Sequence, residues 1–350
     1  MNITFLIGNG FDIGMGLRSK FSHYFSRYVE ESKDKDRIFK EFADEIDENR
    51  AEWSYFEKKL GEYTEKFTVD TQNKFKAKLK DFEVGFINYL REEEQTLSYE
   101  QQKILTVFKK ALLDFYKNGN LSAGAEEIIK NQYARFNQDN RIYNFVNFNY
   151  TEVLKKCLSV FPENVVEKRV VNNRSYVDKI GQLVHIHGYK DKAPLMGVND
   201  VTQIKNKELA QDKRFAKTIV KPLFNQASRT NYDKIANSLI SNSNIVCIYG
   251  MALGGTDKDW WKLILRWLGG ESNRQLIVFD YDDKYDESSQ FDFLDKEDSI
   301  IDKFGEFVKE EKIDVESLRT RIHIAVHKNI FELNLRKEES DVEQEVAVTK

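Results

Sequence analysis

The first sixteen residues constrain this chain more than any other stretch. A short apolar run, Ile3-Thr4-Phe5-Leu6-Ile7, stops at Gly8. Four glycines then fall within nine residues (Gly8, Gly10, Gly14, Gly16), with Asp12 among them. The run is short, continuous and rich in β-formers, so it reads as a buried strand. From Leu17 to Val29 the residues Leu17, Phe21, Tyr24, Phe25 and Tyr28 recur at steps of three and four, which reads as a helix. Strand, glycine-rich turn and helix together form a unit that admits close approach of a ligand and offers free N–H groups to an anion. The spacing Gly8-x-Gly10-x-x-x-Gly14 is one residue longer than the dinucleotide fingerprint, so a purely structural turn has equal weight at this point.

Strand signals then vanish for about a hundred residues. Residues 31–140 contain no proline and carry apolar residues at helical spacing, as in "DRIFKEFADEIDENRAEWSYFEKKLGEYTEKF" and "YEQQKILTVFKKALLDFYKNG". They read as four or five amphipathic helices whose aromatic stripes form a core. From Arg141 the texture changes. "IYNFVNFNYTEVL" reads as strand, polar turn and helix. "VEKRVVNN" and "GQLVHIHGY" read as strands, and residues 203–240 as helix. "SNIVCIYGMALGGTDKDWWKLILRWL" repeats strand, glycine turn and helix. "NRQLIVFDYDD" and "RIHIAVHKNIFELNL" supply the last strands.

Strands alternating with helices predict an α/β fold: a mostly parallel sheet with helices on both faces. The expected organisation is a sheet core from residues 1–30 and 141–335. A large α-helical insertion or cap, 31–140, follows the first strand and helix, and a frayed polar tail runs over 336–350.

With 350 residues the chain is long enough for two domains. Its net charge of −4 gives no general attraction to nucleic acid or acidic membranes. Its two cysteines, Cys157 and Cys247, form neither a disulfide framework nor a zinc spacing. No segment has the length of a membrane span and no signal-peptide pattern opens the chain, so a cytoplasmic location is expected.

Ligands of open α/β sheets bind beyond the carboxyl ends of the strands. Three polar or glycine turns fall at such ends: Gly8-Asn9-Gly10-Phe11-Asp12; Asn147, Asn149, Tyr150 and Thr151 in "NFNYTEVL"; and Gly250 to Asp257. Together they point to a nucleotide-sized site. Asn149 and Thr151 also suit helix caps. In "VHIHGYKD" a strand would place His185 and His187 on one face. That raises a metal reading with Asp257, Asp259 or Asp12 as further ligands, but the spacing lacks a clustered acid–histidine motif, and no metal is expected. His187, beside Gly188 at a strand end, is the better placed base, and His185 suits a core position.

The pieces "FLIGNGFDIGMGLRSKFSHYF", "WSYFEKKLGEY", "FNYTEVL", "VHIHG" and "IYGMALGGTDKDWW" resemble, in order, the bacterial abortive-infection AbiH family of anti-phage proteins. That family is in turn similar to sirtuin-like NAD-binding domains. The resemblance implies a Rossmann-like fold and a nucleotide substrate, NAD or a relative, cleaved at the nicotinamide–ribose bond. It matches the Gly-Ala-Gly turn of those domains to Gly8-Asn9-Gly10, their Asn-x-Asp turn to Asn149-Tyr150-Thr151 and their His-Gly base to His187-Gly188. On this view Gly8, Asn9, Gly10, Thr151, Gly250 and Asp257 hold the nucleotide, with Gly8, Gly10 and the following helix on its phosphates. Asn149 orients the ribose or a water, Asp12 accepts from ribose hydroxyls and His187 is the base. Two departures stand out: Thr151 replaces the Asp, and Asp12 stands where Ser is common. The cysteines of a deacylase zinc site are missing. A lethal enzyme needs restraint before infection, so a homo-oligomer or a defence-system partner protein, and a phage trigger, are implied. A non-catalytic nucleotide-sensing or partner-binding module and a metal-dependent hydrolase or nuclease on His185, His187 and Asp257 are the alternatives.

Overall fold

A computed structural model of the chain describes residues 1–188, 195–282, 285–286 and 289–337. Among these residues, seven strands form one sheet: β1 (Asn2–Ile7), β2 (Ile142–Asn147), β3 (Val165–Val171), β4 (Arg174–His185), β5 (Ile245–Tyr249), β6 (Gln275–Asp280) and β7 (Ile322–Val326). Their order is β3-β4-β2-β1-β5-β6-β7. All neighbours are parallel except β3 and β4. The fold is mixed α/β with a mostly parallel sheet. The antiparallel edge has a local cause. A two-residue loop, Asn172-Asn173, joins β3 to β4, and both residues have positive φ (51° and 60°). Asn tolerates that conformation, and two such residues in a row make the tight hairpin turn that matches strand twist.

β1 sits at the centre. Ile3, Phe5 and Ile7 enter one core while Leu6 enters another on the opposite face. Thr4, on Leu6's face, satisfies its hydroxyl against Ser243 Oγ at 2.6 Å. Burial on both faces is why the strand shows no polar alternation.

The helices are α1 (Asn9–Gly14), α2 (Phe21–Ser32), α3 (Arg37–Glu48), α4 (Arg50–Trp53), α5 (Phe56–Tyr63), α6 (Gln72–Gln95), α7 (Gln101–Asp114), α8 (Ala123–Arg135), α9 (Val153–Leu158), α10 (Lys207–Gln211), α11 (Lys213–Ile219), α12 (Lys221–Ser228), α13 (Tyr232–Ser241), α14 (Lys258–Gly270) and α15 (Gln290–Val308). Residues 31–140 thus hold six helices from α3 onward, because breaks at Asn49 and Ser54-Tyr55 split one amphipathic stretch into three. α7 and α8 pack on the sheet through Ile104, Phe108, Leu112 and Ile129. α2, α3, α5 and α6 build a separate aromatic core from Tyr24, Tyr28, Phe42, Phe56 and Phe82, and residues 196–220 join it. α13, α14 and α15 cover the other sheet face.

The helix expected over Leu17–Val29 starts elsewhere. Helix α1 begins directly after Gly8 and is closed by Gly16 at φ +92°. The N–H groups of Gly16 and Leu17 turn back to the carbonyls of Ile13 and Asp12. Leu17 therefore falls in the link and α2 starts at Phe21. At the other end, Leu335 N–H donates to the Met15 carbonyl and Lys337 N–H to the Thr96 carbonyl, which ties the chain down as far as Lys337. The rest of the expected tail lies outside the described residues, as does Tyr189.

Four strand ends lie level. Ile7 pairs with both Asn147 and Tyr249, and Asn147 pairs with His185. Beyond them two turns interlock. Gly10 N–H donates to the Gly250 carbonyl at 2.8 Å. A Cβ on Gly10 would stand 2.7 Å from Gly250 Cα, and Gly250 itself has φ +67°. No side chain fits between these backbones. The substitution Gly10→Ala should cost about 2–3 kcal/mol of stability. Urea unfolding checks this: an unchanged midpoint would mean that the two turns separate freely.

Candidate functional site

The level strand ends open into one cavity of about 330 Å³. Gly8, Asn9 and Asp12 reach it from the first turn. Phe148, Asn149, Tyr150 and Thr151 reach it from the end of β2, His187 from beyond β4, and Gly250 and Asp257 from beyond β5. Gly10 does not line it, because its open side is filled by Gly250. Phe21, Tyr55, Phe86 and Leu90 close it from α2, the loop before α5 and α6. Apolar walls with a few convergent polar groups describe a small-molecule site.

One side of the cavity is a buried polar cluster. Thr151 Oγ1 donates to Asp12 Oδ2 at 2.7 Å, and Asn149 Nδ2 donates to the Gly8 carbonyl at 3.1 Å. The Asn149 N–H donates in turn to Asn147 Oδ1. Asp12 Oδ1 has no hydrogen-bond partner among the described residues. Burial pushes the Asp12 carboxyl up to about 7, against the pull of the Thr151 hydroxyl.

His187 stands beside this cluster. Its ring lies edge-on to Phe148, centroids 5.7 Å apart, and inclined 32° to Tyr150. The ring hydrogen-bonds the Phe148 backbone, while Nε2 is buried and without a partner among the described residues. Burial, reinforced by the Lys221 ammonium, holds the ring well below the ordinary histidine range. It is therefore neutral near pH 7, with one nitrogen left to accept a proton.

The pairing of His185 with His187 on one strand face does not arise. β4 ends at His185, and His187 lies past it in a turn. His185 packs against Asn147, Nδ1 to Nδ2 3.3 Å, and does not line the cavity. Among the described residues no group of three or more His, Cys, Asp and Glu is placed to hold a metal ion.

On the opposite side the sequence pointed to Asp257 but not to its neighbours Glu57, Lys221 and Asn199. Glu57, on α5, lines the cavity and is ion-paired to Lys221, the first residue of α12, which is only 2% exposed. Asp257 accepts from Asn199 Nδ2 at 2.9 Å, and its carboxyl is pushed up by burial and then by Glu57. Glu57 stood inside the quoted "WSYFEKKLGEY", but nothing in its spacing set it apart from the surrounding acids and lysines. A second chamber of about 550 Å³ adjoins the first, sharing Phe21, Tyr55, Glu57, Gly254 and Thr256.

A mostly parallel sheet with a cavity at its strand ends defines the class: an α/β protein with a cleft at the carboxyl ends of its strands. The family described as bacteriophage abortive infection AbiH matches residues 4–280, and the chain belongs to it. Its role is thus in abortive-infection defence against phage. No curated protein matches the chain. No helix among the described residues is long and apolar enough to cross a membrane.

The raised Asp12 carboxyl makes stability depend on pH. Its folded value, about 7, exceeds the ordinary 3.8, so the unfolded chain releases this proton first. The stability linked to this group is full below pH 3.8 and is lost as pH rises through 7. Asp12→Asn keeps an oxygen for Thr151 and removes the charge. It should raise the melting temperature by several degrees at pH 8 and by much less at pH 4.5. Thermal unfolding at both pH values checks this; an equal shift at each would show that the carboxylate is not desolvated.

Proposed function

We propose that this protein defends against phage by hydrolysing the nicotinamide–ribose bond of NAD or a related nucleotide. The observation that carries the reading is the hydrogen bond between Thr151 and Asp12. The two departures from the sirtuin-like pattern, Asp for Ser and Thr for Asp, are two halves of one pair. A hydroxyl and a carboxylate have exchanged positions across the site. The pairing needs one O–H donor and one carboxylate acceptor, and either arrangement supplies them.

The topology favours a Rossmann-like, sirtuin-like assignment. With the antiparallel β3 set aside, the parallel strands taken in chain order lie 3-2-1-4-5-6. That is the order of doubly wound dinucleotide-binding sheets, and the cavity lies where the order reverses, at β1 and β5.

The chemistry asks little of the protein. Nicotinamide leaves NAD⁺ as a neutral base, so no acid must protonate it. Water attacks C1′ of the ribose as the C–N bond breaks, and His187 Nε2 takes the proton of that water. Asn149, fixed to the Gly8 carbonyl, orients the water or the ribose, and Asp12 Oδ1 accepts from a ribose hydroxyl. One positioned base contributes roughly 10²–10⁴ in rate.

Incubation of the purified protein with NAD, followed by detection of free nicotinamide, tests the reading. The variant His187→Ala should lose at least roughly 100-fold in release, together with phage protection, while keeping most affinity for the nucleotide. His185→Ala should be milder in turnover and lower in melting temperature, because it vacates a packed position. A fully active His187→Ala ends this mechanism. Tight NAD binding without any nicotinamide release would favour the non-catalytic sensing module instead.

A further inference from the structure

The two chambers of the cleft differ in their charged lining, acids in the inner one and mainly lysines in the outer one. Asp12, Glu57 and Asp257 face the inner one, and no lysine or arginine lines it among the described residues. Among the described residues the buried cation nearby is Lys221, which is ion-paired to Glu57. The outer chamber is lined by Lys58, Lys205 and Lys258. None of the three ammonium groups has an ion-pair or hydrogen-bond partner among the described residues. The acids there are Glu62 and the paired Glu57.

We propose that the cleft seats a zwitterionic nucleotide in one direction, with its cationic pyridinium–ribose end in the inner chamber and its phosphates in the outer one. This deepens the hydrolysis reading and rests on it for the identity of the nucleotide. The inner carboxylates favour a positive ring and repel phosphate. The unpartnered lysines of the outer chamber favour phosphate oxygens. The Gly8 turn then holds the ribose end rather than the pyrophosphate. That agrees with the unpartnered carboxylate oxygen of Asp12 beside it, which would repel a phosphate. The polarity selects oxidised NAD⁺ over NADH, whose nicotinamide ring is uncharged.

Calorimetry tests the proposal with a carbocyclic NAD⁺ analogue, which keeps the positive ring but cannot be cleaved, and with NADH. Two half-probes, the 1-methylnicotinamide cation and inorganic pyrophosphate, separate the chambers. Wild type should bind the analogue about tenfold more tightly than NADH. Glu57→Gln should bring the two affinities together. Asp257→Asn should do likewise, and it serves if Glu57→Gln fails to fold with Lys221 left unpaired. The triple variant Lys58→Ser/Lys205→Ser/Lys258→Ser should weaken the analogue, NADH and pyrophosphate about tenfold each and leave 1-methylnicotinamide unchanged. Binding of both half-probes without any nicotinamide release from NAD would sustain the polarity and end the hydrolysis reading. Nicotinamide release with equal affinity for the analogue and NADH, or with no effect of the triple variant, would overturn the polarity and leave hydrolysis standing. Failure of both half-probes to bind at millimolar concentration overturns the polarity as well.

Discussion

Two backbones in contact, at Gly10 and Gly250, set the terms for the rest of the molecule. Strands β1 and β5 are neighbours, and their turns would diverge if either carried a side chain at this point. The contact holds the start of α1 over the end of β5. It thereby fixes Asp12 and Asp257 on walls of the same cavity. The register does the remaining alignment. Because Tyr249, Ile7, Asn147 and His185 stand in one row, the residues just beyond them share one rim. A one-residue slip between strands would move every one of these side chains to the other face.

The site works against the stability of the fold that holds it. Asp12 is buried with one oxygen unsatisfied, His187 is buried with one nitrogen unsatisfied, and Lys221 is a buried cation. Each such group costs free energy when the cleft is empty. Three extended apolar cores offset that cost: one on each sheet face and one within the helical block. Local rules of good folding fail here in a cluster, at a cavity, as expected where selection acts on chemistry rather than on packing.

Much of this was legible in the chain, because the signals were local. The strand of Ile3–Ile7, the glycine turns and "FNYTEVL" each announce a strand end within a few residues, and strand ends in such sheets converge. The Asn172-Asn173 hairpin went unread: the reading of "VEKRVVNN" as strand runs both asparagines into it, although their tolerance of positive φ makes them the turn. Glu57, Lys221 and Asn199 were not legible. They come from segments far apart in sequence, and only the packing of α5 against residues 196–220 brings them together. The pairing of Asp12 with Thr151 was not legible either, since a hydrogen bond across 139 residues has no sequence signal. The role of Gly10 was half legible. The need for close approach was plain, but the partner is Gly250 and not a ligand.

The helical region decides how the polar groups behave. Phe21, Phe86 and Leu90 set apolar walls beside the polar groups, and charges against such walls are screened less than in open water. Burial acts oppositely on the two kinds of titrating group. It raises Asp12 and Asp257 and lowers His187. A histidine in open water would be a stronger base, but it would be partly protonated near pH 6.5 and unable to accept a proton in that fraction. The roofed ring gives up basicity and is neutral in nearly every molecule. For the proposed reaction, whose leaving group needs no protonation, a weak base that is always ready is a consistent design. The sheet alone does not provide that environment: the aromatic helices supply the walls that bury the ring.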